Sequence, residues 1–488
     1  MNAAMGYVLL PWIVISSTAL IVMLFTAIKR DHQYISLISS LGLLIALIVQ
    51  VIQIGATEYQ NELVIIDGMT SLLSAVLIFV SFLISLLLYP WLESIKDPKE
   101  EYYMLFLLAT QGGLIICASN HFGSFFLGLE LMSLSLVTMV AYPDNNPKSL
   151  EASIKYLVLS AIASAFMLMA IAIIYFFSGT LEIQKVVDQL PTLSSSNNTL
   201  YSVAIIFLLV GVAFKLSLAP CHLWVADLFE GAPLPTAALL ATLSKAAIFI
   251  VLIRLFSTGE WHNQAHVITI ISVIAAASMI IGNFLALLQK NILRLLAFSS
   301  IAHFGYILLA ILAIKPNLPL THSTTLANEA AIFYLLAYLV TVVGAFSILI
   351  LLSNNKEVQP PTTFTIDNLR GLFWIKPFTS IVLTLLFLSL AGIPLTVGFI
   401  GKFYLTLAAV NGQLWWLLAT LIIGSITGLF YYLRIILMMM EKSKEDAEPM
   451  TISLPISGHF VLGVVTLLVI GLGILPGRLA SLIESLIS

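Results

Sequence analysis

Fourteen stretches of this chain are apolar for about 20 residues each, the length that carries an α-helix across a bilayer core about 30 Å thick. They lie at roughly 7–28, 35–55, 70–90, 103–119, 122–142, 153–178, 201–228, 232–256, 264–288, 292–314, 328–352, 376–410, 413–440 and 456–476. In hydrocarbon every backbone N–H and C=O must find a partner inside the protein, which leaves helices as the form for such runs. The pattern predicts an all-α polytopic membrane protein of about 14 transmembrane helices. The longest polar connections fall near 180–200, 315–327, 353–375 and 441–455, so no soluble domain fits between spans. Residues 7–28 read as a retained first helix, because Met1 to Trp12 carries neither a basic region nor an A-x-A cleavage site.

Composition removes other classes. Only 9% of the 488 residues are charged, against about 25% in soluble domains. A net charge of −3 gives no basic footprint for nucleic acid. Cys117 and Cys221, the two cysteines, form neither a disulfide framework nor a CxxC metal pattern.

Lys/Arg bias in short loops predicts orientation. One alternating set of loops holds Lys29, Arg30, Lys96, Lys99, Lys148, Lys290, Arg294, Lys356, Arg370, Lys376, Lys442 and Lys444. The other set, with the C-terminus, holds Lys185, Lys315, Arg478 and Arg254 near a helix end. The first set is expected to be cytoplasmic, with both termini in the periplasm of a bacterial inner membrane.

The informative residues are the charges left inside spans, because a charge near the bilayer centre costs a few kcal/mol on insertion scales. Lys215 lies about 21 Å into the seventh span and Lys245 about 20 Å into the eighth. Glu130 lies well inside the fifth, and Lys402 follows a break in the twelfth. Lys155, near the start of the sixth, can snorkel to the interface or join a path, and snorkelling also accounts for Arg254 and Arg434.

Two spans look broken. Phe214-Lys215-Leu216-Ser217-Leu218-Ala219-Pro220 interrupts the seventh, and Leu388-Ser389-Leu390-Ala391-Gly392-Ile393-Pro394 interrupts the twelfth before Gly401-Lys402. Proline removes a backbone donor and clashes with the preceding turn. Pro220 and Pro394, each with a nearby buried lysine, suggest hydrated cavities rather than lipid-facing kinks. The Ser-Leu-Ala wording repeats five spans apart, and an odd shift reverses the crossing direction. That predicts inverted repeats over spans four to eight and nine to thirteen. The expected divisions are 1–100 (three helices), 101–260 and 261–442 (two five-helix repeats) and 443–488 (a last helix).

A buried lysine loses proton affinity and a nearby carboxylate restores it, whereas arginine stays protonated. A file of lysines joined by water can therefore pass a proton in steps. Lys215, Lys245 and Lys402 are the candidate carriers, with Glu130 as the acid. His222 and His303 could extend the path, although a lone histidine is more often a structural hydrogen-bonder. Gly401-Lys402 lacks the P-loop spacing. The sequence shows no cluster with metal-ligand spacing, no nucleophile triad and no nicotinamide or flavin fingerprint.

Several segments resemble subunit N of proteobacterial NADH-quinone oxidoreductase, the respiratory complex I. They are Leu127-Gly-Leu-Glu130-Leu-Met-Ser-Leu, Ser149-Leu-Glu-Ala-Ser-Ile-Lys155-Tyr, Phe214-Lys215-Leu-Ser-Leu-Ala-Pro220-Cys-His222-Leu-Trp, Glu230-Gly-Ala-Pro-Leu-Pro235, Ser244-Lys245, Ser299-Ser-Ile-Ala-His303-Phe-Gly-Tyr306 and the run from Leu388 through Gly401-Lys402-Phe-Tyr404. The resemblance implies a fourteen-helix antiporter-like subunit in which Glu130 pairs with Lys215, and Lys245 and Lys402 continue the path. It implies an enzyme subunit that translocates protons but holds no redox site or cofactor of its own. NADH, FMN, iron–sulfur clusters and quinone are expected in other subunits. Expected partners are the antiporter-like neighbour M, the small subunits K, J and A, and lipids. The alternative is a subunit of a multisubunit cation/proton antiporter.

Overall fold

The computed structural model describes residues 3–487 except 57, 94, 96–97, 143–145, 190–198, 259–263, 315–322, 354–363 and 443–454. Lys96, Lys315, Lys356 and Lys444, used above for orientation, lie outside the described residues. Six helices follow the first six spans: α1 Leu10–Ile28, α2 His32–Gln53, α3 Gly68–Glu93, α4 Glu100–Cys117, α5 Phe122–Ala141 and α6 Pro147–Ser178. The seventh span is two helices, α7 Thr199–Lys215 and α8 Leu223–Gly231. The eighth is α9 Leu234–Ala241 and α10 Leu243–Thr258. Then come α11 Ala265–Leu288, α12 Ile292–Ala313 and α13 Ser323–Ser353. The twelfth span splits into α14 Pro377–Ala391 and α15 Val397–Asn411, followed by α16 Trp415–Met440, α17 Ile456–Ile474 and α18 Gly477–Ile487.

Burial sorts these helices. A helix apolar on every side belongs inside a bundle. The membrane-length stretches of α9–α10, α12 and α13 are wholly buried by their neighbours. Helices α1, α2, α16 and α17 bury one side and expose residues such as Ile21, Ile45, Phe430 and Leu467, a surface suited to lipid. Helix α13 is the axle, packed against α3, α9, α12, α14, α15, α17 and α18.

Two helix pairs come close on glycine. A Cβ on Gly112 of α4 would lie 2.7 Å from Met132 N, and one on Gly128 of α5 would lie 3.0 Å from Ile116 N. In the α11–α12 pair, a Cβ on Gly282 would lie 2.7 Å from Ala302 N and one on Gly305 2.9 Å from Met279 N. Small residues that let backbones touch are the usual means of membrane helix association, where lipid supplies no hydrophobic drive.

Isolated strand pairings join Val64 to Ser119 and His121 to Glu182 on one set of loops, and Asn291 to Thr365 on the other. Loops of one charge class therefore meet only their own class in these pairings.

Three details differ from the sequence reading. The eighth span has a one-residue interruption at Thr242, between α9 and α10. The chain continues past the fourteenth span into α18, where Leu486 lies over Gly68 of α3. Arg254 does not snorkel. It is 8% exposed and donates to both oxygens of Asp67 at 3.1 and 3.3 Å and to Thr70 Oγ1. Pairing outweighs snorkelling here because Asp67 heads α3 directly opposite, where its Oδ1 also accepts from Thr70 N at 2.7 Å.

Candidate functional site

The site is organised by the two breaks, and both close in the same way. In the seventh span Leu218 N donates to Ala213 O at 2.8 Å and Ser217 N to Phe214 O at 2.9 Å. In the twelfth, Ile393 N donates to Leu388 O and Gly392 N to Ser389 O, both at 3.0 Å. These are the paired bonds of a Schellman close, which needs a left-handed residue after the helix. Ser217 has φ 59° and Gly392 φ 86°. The stops are thus made by Ser217 and Gly392, and Pro220 and Pro394 follow them. The repeated Ser-Leu-Ala wording is out of register with this geometry: Ser217 is the left-handed residue, whereas Ser389 lies inside α14.

Backbone donors released by the breaks find hydroxyls, as hydrocarbon requires. Ala219 N donates to Ser278 Oγ of α11 at 2.9 Å. Gly398 N donates to Ser389 Oγ at 3.2 Å.

Each central lysine is held by neutral acceptors. Lys215, the last residue of α7, is 4% exposed, and its Nζ donates to Ser133 Oγ of α5 and Ser160 Oγ of α6, both at 2.7 Å. Lys245, 1% exposed, donates to Ser300 Oγ of α12 at 2.7 Å, with Nζ 5.4 Å from the centre of the Phe304 ring. Lys402 of α15 is only partly buried. It reaches back across its own break to Ala391 O at 2.8 Å, with Nζ 5.4 Å from the Tyr306 ring centre. Gly392 makes room for it: a Cβ there would lie 2.7 Å from Lys402 Cδ.

The resemblance implied a Glu130–Lys215 pair; here both groups are hydrogen-bonded to serine hydroxyls rather than to each other. Glu130 Oε1 accepts from Ser164 Oγ at 2.5 Å. Ser164 and Ser160 lie one turn apart on α6, so that helix presents one hydroxyl to the carboxylate and one to the ammonium. Among the described residues, no carboxylate lies in salt-bridge contact with Lys215, Lys245 or Lys402.

His303 sits on α12, one turn beyond Ser300. Its Nδ1 is 2.7 Å from Tyr334 OH and its Nε2 is 3.4 Å from Tyr432 OH. Tyr432 OH also meets Ser299 Oγ at 2.5 Å. His303 thus lies between the Lys245 and Lys402 regions in a buried tyrosine network. His222 heads α8, with its Nδ1 buried and without a hydrogen-bond partner among the described residues.

Lys155 is elsewhere. It is at the surface, ion-paired to Glu151 at 2.6 Å and Asp227 at 3.1 Å. Arg294 continues this cluster to Asp227 at 2.7 Å and Glu230 at 3.0 Å, and Lys148 reaches Glu230 at 3.1 Å. Arg434 caps α11, donating to Leu287 O at 3.2 Å and to Gln289 O.

Sequence reasoning missed Ser133, Ser160, Ser164 and Ser300, which ligate the charges. The one-turn spacing of Ser160 and Ser164 was the available signal. It missed Tyr334 and Tyr432 because aromatics are common in apolar spans.

A bundle with two broken spans and buried lysines beside them defines a class of transport-type membrane subunits. Residues 119–429 match the family described as NADH:quinone oxidoreductase/Mrp antiporter, transmembrane. The chain belongs to that family, on its subunit N branch: the NADH-quinone oxidoreductase subunit N of Shewanella woodyi is 47% identical over 98% of this chain and 99% of its own length. A chain of respiratory complex I from Thermus thermophilus with bound aureothin matches with a TM-score of 0.80 and 26% identity, over 96% of this chain and 98% of that one. A chain of the Mrp complex from Dietzia sp. matches with a TM-score of 0.83 over 99% and 97%. At 19% identity, that likeness is one of fold.

Proposed function

We propose that this chain is a proton-translocating subunit of the membrane arm of NADH-quinone oxidoreductase. Protons pass along Glu130, Lys215, Lys245 and Lys402, with His303 between the last two, and the driving force comes from quinone reduction in other subunits. Those subunits carry the NADH, FMN, iron–sulfur and quinone sites. The neighbours are subunit M and the small subunits K, J and A. The termini face the periplasm of a bacterial inner membrane.

One observation carries this reading. Two lysines are nearly sealed inside membrane-depth helices and a third folds over a broken one, and among the described residues all three donate only to hydroxyls or a carbonyl. A charge used only for structure would be expected to hold a carboxylate in contact, because an unpaired buried charge is costly. A lysine that must alternate between charged and neutral forms is better served by neutral acceptors, with Glu130 close by but not locked to it.

The division into inverted repeats, 101–260 and 261–442, belongs to the same proposal. Its support is the shared Schellman close and the matching glycine contacts of α4–α5 and α11–α12. Helix α6 packs on both α7 and α8, as α13 packs on both α14 and α15, which sets the long helix of each half against the two pieces of its broken span.

The test is Lys215→Ala in the native membrane. Assembly of the complex is confirmed first, and NADH-driven quinone reduction and proton pumping are then measured together. The expected outcome is an assembled complex with pumping or coupled turnover reduced by about tenfold or more. Normal turnover with normal pumping would remove Lys215 from the path.

A further inference from the structure

The groups between Lys215 and the nearer membrane face form a layered arrangement that the proton path does not use. Trp224 lies in the first turn of α8, and its ring stacks on two others. Phe214 is on one side, with ring centres 5.0 Å apart and planes at 25°. Tyr156 of α6 is on the other, at 5.0 Å and 21°. All three rings are over 90% buried, and Trp224 Nε1 is fixed to Cys221 O at 3.0 Å. Phe214 is the neighbour of Lys215 in the chain. Tyr156 lies one turn before Ser160, a ligand of Lys215. The stack therefore sits one helical turn from the Lys215 ammonium, on the side of the loops rich in Lys and Arg.

The next layer outward is ionic. Asp227 is one turn beyond Trp224 on α8, and Lys155 adjoins Tyr156 on α6. Their 3.1 Å ion pair joins the same two helices that the Tyr156–Trp224 contact joins. Arg294, on α12, grips Asp227 at 2.7 Å and Glu230 at 3.0 Å. Lys148 closes the outer edge on Glu230 at 3.1 Å. Helix α8 has only nine residues and follows a break, so little in its own backbone fixes its tilt. Three cations from two other helices fix it instead.

We propose that the Phe214–Trp224–Tyr156 stack is the barrier between cytoplasmic water and Lys215, and that the Lys155–Asp227–Arg294 bridge is the latch that keeps it closed. The proposal rests on the proton-carrying reading of Lys215. It gives Lys155 a positioning role at the entrance instead of a place in the path. Tilting α8 separates the rings and opens a route to Ser160 and Lys215. Releasing the latch lets α8 tilt without touching any residue that ligates the buried lysine.

Water access beside Lys215 can be read directly, because a thiol reacts as its thiolate and needs water to ionise. The experiment uses the assembled complex in inside-out membrane vesicles, with Ser160→Cys in a Cys221→Ser background. A membrane-impermeant thiol reagent is added to the exposed cytoplasmic face, and labelling of this chain is followed by mass. The expected result is slow labelling with the stack intact and a rise of about tenfold or more when Trp224→Leu is added. Trp224→Phe, which keeps a flat ring, is expected to stay slow, and Asp227→Asn to give a smaller rise. Equal labelling with and without Trp224→Leu, whether fast or absent, would overturn the barrier. If Trp224→Leu prevents assembly, Asp227→Asn decides: a rise supports the latch, and no rise overturns it. The readout does not depend on Lys215 carrying a proton. Normal pumping in Lys215→Ala alongside a labelling rise in Trp224→Leu would end the carrier reading and leave the barrier standing.

Discussion

The two broken spans end with the same backbone bonds and differ in where they put the lysine. In the seventh, Lys215 precedes the stop and is sealed, with two serine hydroxyls on its ammonium. In the twelfth, Lys402 follows the stop, is partly exposed, and bends back to the carbonyl of Ala391, the last residue of the preceding helix. A helix C-terminus carries partial negative charge on its free carbonyls. Lys402 therefore uses the break itself as a ligand, whereas Lys215 recruits its ligands from neighbouring helices. The same closure thus supports two kinds of lysine site, one made by packing and one made by the backbone.

That contrast predicts that the left-handed residue matters far more at the second break. Gly392→Ala should be the most damaging single change here. A left-handed conformation costs an L-residue about 1–2 kcal/mol, and the new Cβ would also lie 2.7 Å from Lys402 Cδ. The expected result is a complex with lowered thermal stability in which Lys402 is displaced and proton pumping falls. Wild-type stability and pumping would mean that Lys402 does not depend on the carbonyl site, and the contrast would collapse.

The hydroxyls behind the breaks give a smaller and more graded difference. Ser278 accepts from Ala219 N at 2.9 Å, while Ser389 accepts from Gly398 N at 3.2 Å and shares its hydroxyl with Thr341 at 3.3 Å. A buried donor left without its acceptor costs about 1–3 kcal/mol, scaled by how good the lost bond was. Ser278→Ala should therefore lower the midpoint of thermal unfolding more than Ser389→Ala. The reverse order would show that the second break relies on its hydroxyl more than its bond lengths imply.

The membrane spans were legible because bilayer thickness imposes one length on all of them, and the described helices fall within several residues of the apolar runs. The place of each break was legible from Pro220 and Pro394. The residue that makes each stop was only half legible: Gly392 is the usual occupant of a left-handed cap, and nothing local marks Ser217. Glu130, Lys215, Lys245 and Lys402 were legible as charges within apolar spans, but their partners were not. Serines are common in apolar helices, and only the fold selects Ser133, Ser160 and Ser300. The same limit applies to Arg254, whose acceptor Asp67 lies 187 positions away in the chain. Snorkelling was a fair reading of Arg254 alone, and it fails because a carboxylate from another helix comes to meet it.

The smallest predicted effect is a gain, and it tests the comparison from the other side. Ser217 pays the left-handed cost that Gly392 escapes, and its Oγ is buried without a hydrogen-bond partner among the described residues. Ser217→Gly relieves the first and removes the second. Glycine also loses more freedom on folding, which offsets part of the benefit. The net expectation is stabilisation of up to about 1 kcal/mol, read as a small rise in the thermal midpoint of the assembled complex, with pumping unchanged. The site can accept this because Lys215 is held from α5 and α6 and not by the break. If Ser217→Gly were neutral in stability but lowered pumping, the unpartnered hydroxyl would belong to the hydrated route beside Lys215. The first break would then use its own residues as the second does, and the two lysine sites would be alike in kind.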